Sequence, residues 1–233
     1  MRQYCAFDIE IARQLSDFDN WRSHRPLGIT CAATLTSSGE MRLWYGKTPS
    51  DNPAACMTRE EAASLLEHLQ SMVQAGYTLL TWNGLGFDFD ILGEESKNVA
   101  ACSQLALDHV DMMFHIFCLR GHTLGLEKAA RGMGVPGKSA GMSGALAPRY
   151  WAEGRYQEVL EYVAQDVRVT LSVCQAVENQ KILKWFSNSG NIQRVAMPHG
   201  WLTVKDALQL PLPDVRGFSR PLQRSSFTAW LSA

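Results

Sequence analysis

The sequence predicts an α/β protein: a five-stranded mixed sheet flanked by helices, followed by a C-terminal extension broken by prolines. Three observations carry this. An apolar first strand is followed by two strand-like runs at hairpin spacing, an amphipathic helix then leads into a fourth strand, and one helical pattern runs unbroken from Tyr156 to Lys184. Strands joined by a tight turn lie antiparallel and a strand reached across a helix lies parallel to a neighbour, so the two patterns together give a mixed sheet.

The first strand is Tyr4 to Ile11, in which Asp8 and Glu10 interrupt an otherwise apolar run. Residues two apart on a strand share a face, so both carboxylates point the same way. Two adjacent carboxylates on a buried strand repel each other unless a cation compensates, and a divalent metal is the simplest one.

Residues 12–26 are polar and aromatic, a connection. Leu27 to Thr36 and Met41 to Gly46 read as strands joined by Ser37-Ser38-Gly39-Glu40, a loop of hairpin length. Thr58 with Glu61 has the capping-box spacing, and Ala62, Leu65, Leu66, Leu69 and Val73 form the apolar stripe of a helix closed by Gly76. Tyr77 to Trp82 is the fourth strand, and it runs straight into Asn83-Gly84-Leu85-Gly86-Phe87-Asp88. Residues 109–120 read as a short fifth strand leading into a helix, and Thr123 to Arg131 as a further helix. Residues 134–149, rich in Gly, Ser and Ala and carrying Lys138, read as a mobile loop.

At 233 residues, with 46% hydrophobic and 19% charged, the chain suffices for one domain and an extension. No apolar run approaches the ~18 to 20 residues of a membrane span, and no basic region with an apolar stretch opens the chain, so the expectation is a cytoplasmic protein without membrane contact. Six isolated cysteines without a C-x-x-C pair suit reduced core thiols. Residues 181–233 hold seven Lys or Arg against two acids, leaving the rest of the chain net negative. The aromatics Trp185, Phe186, Trp201, Phe218, Phe227 and Trp230 are interleaved there, a composition suited to phosphates and bases, or to packing on the acidic body. A partner protein reading Phe227 to Leu231 is the remaining expectation for the extension.

Two local readings stay open. Asn83-Gly84 is also a hairpin signal, and Phe87 to Ile91 alternates as a strand does. Tyr162 and Asp166, four apart on one helical face, equally describe an edge-of-core pair.

Taken together, Asp8 and Glu10 on a first strand, Asn-x-x-x-Phe-Asp after a fourth, and Tyr-x-x-x-Asp on a late helix resemble the three motifs of the DEDD-superfamily 3′-to-5′ exonucleases. Tyr162 stands four residues before Asp166, and Glu161 stands where the His subgroup carries its histidine, so the likeness is to the Tyr subgroup (DEDDy). It is similar to the proofreading domain of family B DNA polymerases and to stand-alone bacterial relatives. The resemblance implies a ribonuclease H-like domain over residues 1–186, with 187–233 as a basic extension. It implies two Mg²⁺ or Mn²⁺ ions held by Asp8, Glu10, Asp88 and Asp166, with Asp8 bridging and Asp88 supporting one site. Tyr162 would orient or deprotonate the attacking water, and Ile9, Asn83 and Phe87 would lie beside the terminal nucleotide. Two metals about 4 Å apart serve an in-line displacement by activating the water and stabilising the leaving oxygen. The implied substrate is nucleic acid, DNA before RNA and single strands before duplex. The rival readings are an exoribonuclease, since nothing in the motifs reads a 2′-hydroxyl, and a non-catalytic nucleic-acid-binding module. Asp90, Asp108 and Asp111 fall outside the motifs and read as helix or strand-end acids; His115 and His122 are available acid–base groups, but neither falls in a matching motif; Lys138 reads equally as a phosphate contact or a solvated charge.

Overall fold

The computed structural model describes all residues except 1, 16, 18, 19, 138–140, 188 and 233. Strands β1 (Tyr4–Ile11), β2 (Ile29–Thr36) and β3 (Met41–Tyr45) form an antiparallel meander. Helix α1 (Arg59–Gln74) crosses to β4 (Thr78–Thr81), and α2 (Asp88–Ser96) and α3 (Val99–Asp108) lead to β5 (Val110–Asp111). Both later strands run parallel, β4 to β1 and β5 to β4, so the five-stranded sheet has the order β3-β2-β1-β4-β5. This is the ribonuclease H-like α/β architecture that the sequence predicts. Helices α4 (Met112–Arg120), α5 (Leu126–Met133), α6 (Ala147–Ala152) and α7 (Tyr156–Gln180) complete the body.

The period of two in β1 sorts its residues between two cores. Cys5, Phe7, Ile9 and Ile11 pack with α1 to α4, whereas Tyr4 and Ala6 pack with α5, α6 and α7. Asp8 and Glu10 share the parity of Tyr4 and Ala6 and therefore face the α7 side. The α1 capping box forms as its spacing predicts: Glu61 N donates to Thr58 Oγ1 at 3.2 Å and Thr58 N to Glu61 Oε2 at 2.7 Å.

Three expectations need correction. The last helix does not reach Lys184: Lys181 adopts a left-handed φ of 54°, and Ile182–Phe186 is β6, paired antiparallel with β7 (Ile192–Ala196). Its alternation of buried Leu183 and Trp185 with half-buried neighbours is a period-two signal at the end of a helical pattern. Helix α3 had no counterpart in the sequence reading; Asn98 caps it, its side chain accepting from Ala101 N at 3.2 Å. The prolines of the extension leave room in sequence for one short helix, near Thr203 to Leu210; the extension holds two, α8 (Val204–Ala207) and α9 (Ser225–Thr228), besides β7.

The extension packs on the body. Trp201 is fully buried, its indole N–H donating to Cys174 O at 3.3 Å, and Leu202 N donates to His115 Nδ1 at 3.3 Å. Val204 N donates to His109 O at 2.9 Å. Phe227 lies 4.9 Å from the Phe117 ring and Trp230 Nε1 donates to Leu85 O at 2.7 Å. Four of the six interleaved aromatics, Trp185, Trp201, Phe227 and Trp230, are therefore core residues, the packing alternative rather than the base-contact one. With Phe227 and Trp230 buried, the expected display of Phe227 to Leu231 to a partner protein loses its two anchoring rings. All six cysteines are free thiols and only Cys56 is exposed. Among the described residues no helix is long and apolar enough to cross a membrane.

Candidate active site

The site forms where β1 outruns β4. The two strands pair only over Tyr4–Ala6 and Thr78–Leu80, so beyond Ala6 the β1 edge on that side has no strand partner. Ile9 N donates instead to Asp88 Oδ1 at 3.1 Å. Asp88 stands at the first residue of α2, where the helix N-terminus favours a negative charge.

The turn that delivers Asp88 settles the choice between hairpin and helix. Asn83 takes a left-handed φ of 81°, a conformation Asn tolerates better than most residues. Asp111 holds the turn: Asn83 N donates to its Oδ1 at 3.1 Å and Leu85 N to its Oδ2 at 2.9 Å. The same carboxylate caps α4 by accepting from Phe114 N at 2.9 Å. Burial pushes the Asp111 carboxyl up to about 6 although these N–H groups pull it back. Asp111 is thus a structural acid that positions the second motif, a role its local sequence, an acid between apolar residues, does not reveal.

On the opposite side α7 lies against β1 and β2 and brings Tyr162 and Asp166, both buried, to the acids of β1. Glu161 faces away, paired with Arg168 at 2.7 Å. Carboxylate oxygens of Asp8, Glu10 and Asp166 lie within 4.8 Å of one another. The cleft they line, about 220 Å³, is also bordered by Ile9, Asn83, Phe87, Asp88 and Tyr162. All eight residues that the motifs single out thus border one cleft. Burial above all, and then the charges of Asp111 and Asp166, push the Asp88 carboxyl upwards.

Such an acid group fits a divalent cation. Three carboxylates this close, two of them almost buried, repel one another, and hard oxygen donors are what Mg²⁺ and Mn²⁺ take. Asp88 belongs to the same cleft but not to that trio, and one of its oxygens accepts from Ile9 N. Sequence reading passed over Gly144. A Cβ there would sit 3.9 Å from Glu10 Oε2 and 4.0 Å from the Tyr162 hydroxyl, so the loop before α6 closes over the acids. Trp82 also borders the cleft. Lys138 lies outside the described residues.

Of the acids read as structural, Asp90 is buried between Arg25, at 2.5 Å, and Arg22, at 3.2 Å. Trp21, beside them, meets the Phe87 ring edge-on at 5.1 Å. The β1–β2 connection is thereby latched onto the second motif. Asp108 pairs with Lys205. His115 is buried against Trp201.

A family model of the RNase_H superfamily matches residues 49–178. That is more than half of the chain, which belongs to this superfamily. The match takes in Asn83, Asp88, Tyr162 and Asp166, and β1 precedes it. No protein of curated function matches the chain. Among solved structures it is similar to the family B DNA polymerase of the hyperthermophilic archaeon Pyrobaculum calidifontis, with 18% identity and a TM-score of 0.55 over 76% of this chain and 25% of that one. It is also similar to a product-bound exonuclease I, with 14% identity and a TM-score of 0.44 over 77% of this chain and 44% of that one. The chain spans less than half the length of either, and the likeness to the polymerase, at 18% identity, is one of fold.

Proposed function

We propose that this protein is a metal-dependent 3′-to-5′ exonuclease of the DEDDy type, releasing nucleoside monophosphates from single-stranded DNA. One observation carries the reading: Asp8, Glu10 and Asp166 converge within 4.8 Å in a cleft that also holds Asp88 and Tyr162. In this reading Asp8, Glu10 and Asp166 hold the divalent ions, and Asp88 supports them while keeping β1 in place through Ile9. Bound ions supply Lewis-acid stabilisation of the charge that develops around phosphorus.

The chain's own residues do the rest. Tyr162, on the α7 side of the cleft, orients the attacking water through its hydroxyl. Phe87 offers apolar surface to the terminal nucleotide and Asn83 a side-chain amide from a backbone that Asp111 holds, whereas Ile9, its side chain buried in the core on the other face of β1, serves through its backbone N–H to Asp88 rather than by touching the nucleotide. The unit responsible is residues 1–186, with 187–233 packed upon it.

The test is incubation of 5′-labelled single-stranded DNA with Mn²⁺ or Mg²⁺, an RNA strand of the same sequence alongside. Stepwise shortening from the 3′ end, abolished by EDTA and by Asp8→Ala, is expected. Cleavage that persists in EDTA, or products shortened from the 5′ end, would overturn the reading. Faster shortening of RNA would transfer it to an exoribonuclease.

A further inference from the structure

Away from the carboxylates, α5 and the β6–β7 hairpin enclose a second cleft of about 400 Å³. Its walls include Arg120, His122, Lys128, Trp185, Phe186 and Phe218, and among the described residues no acid lines it. The packing that builds it is close. A Cβ at Gly132 would collide with the backbone of Lys184 and Trp185, so α5 lies directly on β6 and sets Lys128 beside Trp185 and Phe186. Arg131, one turn on, stacks over the Phe186 ring at 4.7 Å. On the third side Pro213 and Val215 pack over Gly121, bringing Phe218 to 6.1 Å from the His122 ring, which in turn lies 6.3 Å from Trp185.

We infer that this cleft binds single-stranded nucleic acid, a base stacking on Phe218 and His122 and the backbone phosphates meeting Arg120 and Lys128. A lone exposed aromatic is ordinary. Here Phe218, 40% exposed, stands in a row of rings beside Arg120, an exposed cation with no salt bridge among the described residues. Rings for stacking and cations for phosphate are the two components of sites that hold single strands without reading sequence. An acidic peptide would use the cations and leave the rings idle. The cleft also abuts the acidic one: Leu124 lines it, and Leu124 O accepts from the indole N–H of Trp82, a wall of the carboxylate cleft, at 2.9 Å. A strand held here is therefore held next to the site of proposed hydrolysis, yet the binding requires no turnover.

The experiment measures binding of a fluorescent single-stranded oligonucleotide by the full chain in EDTA, across a salt series. Phe218→Ala is expected to weaken affinity about tenfold, the size of one lost stacked base, and to leave the salt slope unchanged. Arg120→Gln with Lys128→Gln is expected to weaken it and to flatten the slope by ~0.7 per lost phosphate contact. Phe218→Trp, which restores a ring, is expected to bind as tightly as the wild type. These positions are at the surface, so melting temperatures should stay unchanged. Affinity indifferent to all these variants overturns the inference, as does a Phe218→Trp protein as weak as Phe218→Ala. Polyglutamate competing as well as an unlabelled strand would reassign the cleft to acidic peptides. Because no hydrolysis is read, a protein that binds in this way but cleaves nothing would sink the nuclease reading and keep the cleft; an active enzyme with indifferent variants would do the reverse.

Discussion

Ile9 donates its backbone N–H to the Asp88 carboxylate at 3.1 Å, just past the last residue at which β4 pairs with β1. The bond gives Asp88 two tasks, satisfying a strand edge and supplying charge to the cleft. Asp88→Asn keeps an acceptor for Ile9 and removes only the charge. The expected outcome is a protein of near wild-type melting temperature whose metal-dependent turnover falls ~10- to 100-fold, as for residues that support a metal from behind its ligands. Asp90→Asn should divide the other way. Its charge is buried between Arg22 and Arg25, so the loss costs about 1 to 3 kcal/mol of stability, less than in a fully buried pair because both arginines are partly exposed. Urea denaturation and initial rates on both variants check the division; the opposite pattern would mean the motif register is displaced by two residues.

Tyr162 and Asp166 share a helical face but not a role. Asp166→Ala removes one of three converging acids, and the expected outcome is loss of Mn²⁺ binding by calorimetry together with turnover. Tyr162→Phe should bind Mn²⁺ normally and lose ~10² to 10⁴ in rate, the usual worth of acid–base help. A Tyr162→Phe enzyme with full activity would remove the hydroxyl from the mechanism.

Asp111→Asn tests the turn. An amide there accepts from only one of Asn83 N and Leu85 N and turns its NH₂ against the other, so the Asn83 to Asp88 segment should loosen. An unsatisfied buried N–H costs about 1 to 3 kcal/mol. Hydrogen exchange at Leu85 is expected to speed up and turnover to fall while Mn²⁺ affinity changes little. Unaltered exchange would show that the turn holds itself.

Acid should weaken the docking of the extension through His115. Burial lowers its pKa to about 4, so the native protein carries it neutral while the unfolded chain protonates it near 6.5. Between these values the unfolded state binds more protons, and stability falls as pH drops from 6.5 towards 4. Asp88 and Asp111, raised in the native state, act in the opposite sense, so the comparison to make is with His115→Gln. The stability of the wild type relative to that variant should decline by about 3 kcal/mol across the window. A constant difference would show that His115 titrates normally.

Much of the sheet was readable because β1 to β4 follow simple periods and the helix between β3 and β4 carries a full capping box. The acids of β1 were readable for the same reason: alternation alone sends Asp8 and Glu10 to one face. What the sequence hid is of two kinds. Asp111 and Gly144 act through contacts far along the chain, and neither an acid in an apolar run nor a glycine in a loop signals its partner. The Ile182–Phe186 strand was hidden because its alternating residues follow a helical stripe without Gly or Pro, and only the left-handed Lys181 separates them. For the extension, stacking and packing both stayed open because aromatic composition cannot tell a ring that stacks on bases from one that packs in a core.

Trp230 reaches back across 145 positions to Leu85 O, and Phe227 lies 3.0 Å from where a Cβ on Gly86 would stand. The segment that presents Asp88 is thus braced by residues made long after it. During synthesis the sheet and α1 can assemble as soon as they emerge, and Asp111 can hold the Asn83 to Asp88 turn from inside, but the turn lacks its outer brace until about residue 230 has left the ribosome. Nascent chains stalled short of that point should expose Leu85 to protease in a way that longer ones do not, so competence at the acids would arrive with residue 230, not with the strand that carries them.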